Sequence, residues 1–106
     1  MNISEMLARP EGKTLEFKRD ISSLKPILRT LVAFANTAGG ILIIGRENDG
    51  TVHGVPEVFQ AEECLANAIA DSIRPAMMPE IEIYSYNDKS LLMTLLIYSK
   101  IIQDYS

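Results

Sequence analysis

The sequence predicts an α/β (α+β) domain: a mixed, largely antiparallel sheet of four to five strands with two main helices packed on it. Three observations predict it. Leu24, Ile27, Leu28, Leu31, Phe34, Ala35 and Ala38 recur at spacings of three and four, which is one face of a helix. The double glycine Gly39-Gly40 follows, and then Ile41-Leu42-Ile43-Ile44, apolar without alternation, as in a central strand covered on both faces. Two further apolar runs flank Asn87-Asp88-Lys89, which reads as a hairpin.

The elements follow in order. Asn2 to Arg9 suits a short helix, with Asn2 or Ser4 as cap and Ile3, Met6 and Leu7 on one face; Pro10 ends it. Leu15 to Lys18 alternates, with Leu15 and Phe17 inward. Ser22 or Ser23 can cap the second helix, where Pro26 fits the first turn. Gly39 or Gly40 can take the left-handed conformation that stops it. Glu47 to Gly50 has turn chemistry, and Thr51 to Val55 is expected to return antiparallel. Pro56 and Glu57 open a third helix to about Arg74, with Val58, Ala61, Leu65, Ala68, Ile69 and Ile73 as its stripe and Cys64 on the apolar side. Ala76-Met77-Met78 reads as an apolar loop between prolines, and Ile81–Tyr86 and Leu91–Tyr98 as the hairpin strands.

Composition bounds the function. A chain of 106 residues is one domain, residues 1–106. No stretch is long and apolar enough to span a membrane, and no signal-peptide pattern opens the chain. One cysteine allows no internal disulfide, so a cytoplasmic home is the default. Net charge is −4, which argues against a generic nucleic-acid binder. The charge is uneven: six bases and four acids fall in the first 29 residues, leaving the remainder at −6.

Glu11-(four residues)-Glu16-Phe17-Lys18, the run AFANTAGGILIIG from Ala33 to Gly45, the Asp49-Gly50 turn, Gly54-Val55 and Ile69 to Ser85 together resemble the AlbA-like DNA-binding domain of the Schlafen and divergent AAA family. The likeness spans about Glu11 to about Ile97. It implies a DNA-binding module of a bacterial transcriptional regulator or defence-associated protein. Family members usually continue into one or two further strands; the stop at Ser106 leaves two readings, an N-terminal piece of a longer protein or a short gene product. The last apolar strand would then be left as an open edge, which predicts a homodimer.

Lys18, Arg19, Arg46 and Lys13 are the nucleic-acid-binding candidates. Lys18 faces outward from the first strand, and Arg46 ends the central one, where ligands of α/β layers collect. Such cations position phosphates without reading sequence. The alternative reading is a metal-dependent nuclease. In Schlafen-type ribonucleases a Glu-x4-Glu pair and an acid after the central strand bind a divalent cation. The resemblance carries that role to Glu11, Glu16 and Asp49, with Asn48 at the counted position and Glu47 as a substitute. Mg²⁺ or Mn²⁺ is the cofactor implied in that case alone, since hard cations take carboxylate oxygens. Otherwise no cofactor is expected, and an enzyme is the less favoured outcome. A third reading is an oligomerisation domain. No phosphate-binding G-x-x-x-x-G-K-[ST] motif is present, and His53 stands alone, which gives zinc no ligand set.

Overall fold

The computed structural model describes residues 2–74, 79–96 and 104–105. The expected loop Ala76-Met77-Met78 and the end of the last strand, Ile97-Tyr98, lie outside the described residues. The elements are α1 (Ile3–Leu7), β1 (Leu15–Lys18), α2 (Leu24–Asn36), β2 (Gly40–Ile44), α3 (Val58–Ser72), β3 (Ile73–Arg74), β4 (Glu80–Tyr86), β5 (Lys89–Leu96) and β6 (Asp104–Tyr105).

One mixed sheet runs β1-β2-β5-β4. β1 and β2 are parallel, with Leu15 opposite Ile41 and Lys18 opposite Ile44, and α2 is the crossover that such a pair requires. β2–β5 and β4–β5 are antiparallel. The β4–β5 hairpin turns on Asn87 and Asp88, both at positive φ, which matches the twist of the strands it joins.

Both faces of β2 are covered, as its unbroken apolar run requires. Leu42 and Ile44 pack with Leu31 and Phe34 of α2 and Leu65 and Ile69 of α3. Ile43 packs on the other face with Met6 and Leu7 of α1, Phe17 and Leu91. Each such side chain contributes about 1.5–3 kcal/mol by leaving water. α1 starts on Asn2, whose Oδ1 accepts the Glu5 N–H at 2.8 Å. α2 ends as its glycines require. Gly39 sits at φ 76° and donates to the Phe34 carbonyl at 2.7 Å. The Phe34 ring lies flat on Gly40, where a Cβ would stand 2.7 Å from ring carbons.

Five expectations are corrected. Thr51–Val55 does return antiparallel, but as a single bridge, Arg46 to Val52, and not as a strand, because the Gly45 carbonyl accepts both His53 and Gly54 N–H groups and turns the chain away. α3 stops at Ser72, and Ile73-Arg74 instead pairs antiparallel with Asp104-Tyr105. Ala38 lies beyond the end of α2 and is exposed. Cys64 is exposed, because the buried stripe of α3 is the narrower Ala61, Leu65, Ile69. The strand expected to be an open edge, β5, lies inside the sheet between β2 and β4.

Candidate functional site

The parallel pair β1–β2 delivers its C-terminal ends to one side of the sheet, and the turn after β2 folds over them. The result is an open cleft of about 410 Å³ lined by Glu11, Glu16, Phe17, Lys18, Arg19, Glu47, Asn48 and Asp49. Seven of the nine sequence candidates and substitutes therefore border one cleft: Glu11, Glu16, Lys18, Arg19, Glu47, Asn48 and Asp49. Arg46 and Lys13 do not.

Hydrogen bonds define what the acids do. Glu11 Oε2 accepts the Phe17 N–H at 2.9 Å. Gly12 and Leu15 bridge beside it. The Glu11-Gly12 segment thus hooks over β1, an edge strand, and satisfies main-chain groups that would otherwise stand open. Glu16 Oε2 accepts the Thr30 hydroxyl of α2 at 2.6 Å and lies 3.5 Å from Lys18 Nζ. Glu47 holds Arg19 at 3.5 Å through one oxygen and His53 through the other. Asp49 accepts the Thr51 N–H at 2.8 Å; that bond, with Thr51's hydroxyl, His53 and Arg46 adding to it, lowers its pKa below the usual carboxylate value.

The fit to a divalent cation follows from these partners. Among the described residues, no three of Asp, Glu, His and Cys stand close enough to hold an ion. Glu11 and Glu16 share a wall with Asn48 and Asp49, but each carboxylate is turned to its own donor. The residues as placed do not make the Mg²⁺ or Mn²⁺ site that the resemblance implied.

Arg46 differs most from its expectation. It is buried, 7% exposed, and not on the rim. Its guanidinium lies 3.7 Å from the Phe17 ring centroid. It donates to the carbonyls of Leu7 at 3.2 Å, Glu47 at 3.1 Å and Arg9 at 3.4 Å. The carbonyls of Leu7 and Arg9 are ends left unpaired where α1 stops. Arg46 therefore pins α1 to the end of β2 and stacks on β1 as it does so.

Lys13 is exposed on a separate groove between the Gly12-Lys13 turn, β1 and α2. Thr30, His53 and the inward course of Arg46 were not read as site features from the sequence. Thr30 carried a signal, since it lies on the helix that crosses between the parallel strands. His53 carried none beyond being alone.

The fold and the cleft define a class, a small mixed sheet with a glycine-stopped crossover helix and an acid-rich cleft at the β1–β2 ends. The chain belongs to the Schlafen, AlbA_2 family, whose model matches residues 11–103. The solution structure of the N-terminal domain of an ATP-dependent DNA helicase RecG-related protein from Nitrosomonas europaea is similar. It has TM-score 0.74 and 26% identity, over 92% of this chain and 71% of that one. The crystal structure of the DIP2311 protein from Corynebacterium diphtheriae shares the fold at TM-score 0.69 and 17% identity, over 92% of this chain and 22% of that one. No curated protein matches.

Proposed function

We propose that this domain is a nucleic-acid-binding module, with DNA rather than RNA as its ligand, acting in the cytoplasm as part of a bacterial transcriptional regulator or defence-associated protein. The observation that carries the reading is the partition of charge. Residues 1–29 hold six bases against four acids, and residues 30–106 hold four bases against ten acids. Arg9, Lys13, Lys25 and Arg29 are exposed and have no acidic partner among the described residues. The acids Glu57, Glu62, Glu63, Asp71, Glu80 and Glu82 belong instead to α3, its start and β4. Arg9 follows α1, on the sheet face opposite α2, so Lys13 with Lys25 and Arg29 of α2 are the set that can act together. A protein of net charge −4 can still attract phosphates through such a local set, because exposed charges are screened beyond about 8–10 Å. Lys18 and Arg19 line the cleft instead, tethered to Glu16 and Glu47. DNA is favoured because the similar N-terminal domain belongs to a protein named for a DNA helicase.

Fluorescence anisotropy with labelled single- and double-stranded DNA and RNA, from 50 to 200 mM salt, tests the proposal. Three to five phosphate contacts give log K falling against log salt with a slope of roughly −2 to −4.5. Absence of binding to every oligonucleotide at 50 mM salt would end it. The homodimer is proposed at β4, the outer strand that pairs with β5 alone among the described residues. Sedimentation of a monomer at every concentration rejects that part.

A further inference from the structure

The groove beside α2 is distinct from the acidic cleft. It has a volume of about 480 Å³ and lies between the Gly12-Lys13 turn, Glu16 of β1 and the outer side of α2. Ala33, Phe34 and Ala38 give it an apolar floor, and Lys13 stands at its rim. Its one carboxylate, Glu16, is engaged by Thr30 and Lys18.

α2 itself contains no acidic residue. Lys25, Arg29, Ala33 and Thr37 follow at four-residue spacing and so form one ridge. Successive members stand about 6 Å apart along the axis. The first two are exposed cations and the last two are walls of the groove. Cations and apolar floor are therefore continuous.

We infer that this groove and ridge take one single nucleic-acid strand, with its phosphates on Lys13, Lys25 and Arg29 and a base against the Ala33–Ala38 floor. The inference rests on the nucleic-acid reading above and adds to it the site and the form of the ligand. A duplex hides its base faces in the stack and offers an apolar recess nothing. A single strand exposes them, and sequence-tolerant binders set such faces on a platform beside a cationic track, aromatic in the usual case and formed by alanine methyls here.

The test uses the full chain and a labelled single-stranded DNA of twelve nucleotides, against its duplex. Lys25→Gln/Arg29→Gln removes two phosphate contacts. It is expected to weaken single-strand binding about 25-fold at 0.1 M salt and to reduce the slope of log K on log salt by about 1.4. Ala33→Met fills the groove without changing charge. It is expected to weaken binding about fivefold, the loss of roughly 40 Å² of apolar contact, with the slope unchanged. Lys89→Gln, on the hairpin, leaves affinity as it was. The wild type prefers the single strand. Wild-type binding that survives Lys25→Gln/Arg29→Gln with affinity and slope intact overturns the inference while leaving the broader reading in place. So does equal affinity for the duplex with no effect of Ala33→Met. No binding by the wild type at 50 mM salt overturns both.

Discussion

Replacing Arg46 separates a structural cation from a ligand-binding one. The guanidinium is buried, stacks on Phe17 and donates to three carbonyls, two of them at the end of α1. A desolvated cation–π contact is worth about 2 kcal/mol. Hydrogen bonds from a charged donor are worth about 1.5–3 kcal/mol each, though three on one group do not add. Removing the side chain also removes the cost of having buried its charge, which offsets part of the loss. The balance for Arg46→Ala is about 3 kcal/mol of lost stability, within the range of buried-network deletions. That is a large share of the roughly 5–15 kcal/mol available to a domain. At about 4–8 °C per kcal/mol, Tm should fall by roughly 15 °C. Arg46→Lys should recover only part, because an ammonium cannot reach all three carbonyls or stack as a plane. Urea and thermal unfolding by circular dichroism measure both variants. An Arg46→Ala protein as stable as the wild type to within about 1 kcal/mol, yet defective in DNA binding, would refute the structural assignment.

Three further outcomes follow from the same contacts. Glu11→Ala removes the acceptor of the Phe17 N–H and opens the β1 edge; about 1 kcal/mol should be lost, and light scattering should show more self-association than Glu11→Gln, which keeps an acceptor. Thr94→Val should raise stability by about 1 kcal/mol in urea unfolding, since the Thr94 hydroxyl is fully buried and has no partner among the described residues. The Ser22 hydroxyl and N–H hold the Asp20 carboxyl below the usual range, so its contribution is complete above the unfolded pKa and disappears as pH falls through the folded one. Asp20→Ala should therefore lower Tm at pH 7 and leave it unchanged near pH 2.

Much of the fold was legible because it is local. β1 alternates over Leu15 to Lys18, α2 carries its stripe, and β2 is apolar throughout; periodicity alone places all three. The hairpin turn at Asn87-Asp88 is set by residues that tolerate positive φ. The unread parts depend on distant partners. β3 and β6 are two-residue strands, too short for any period, and they pair across some thirty positions. The interior place of β5 is a matter of sheet order, which chain order does not reveal. Arg46 follows an apolar strand, where a cation ordinarily faces water. Its burial depends on carbonyls 37 and 39 residues away, which no local pattern encodes. Glu11 and Glu16 were legible as a pair at fixed spacing but not as partners of Phe17 and Thr30. In the fold the spacing lets one carboxylate close the strand edge while the other ties that strand to α2.

The most direct test of where nucleic acid sits is a ¹⁵N chemical-shift titration of the domain with a short single-stranded DNA at low salt. The account predicts that amides of Gly12, Lys13 and the Lys25–Ala38 segment shift most. Shifts centred on Glu47, Asn48, Asp49 and His53, with α2 silent, would contradict it.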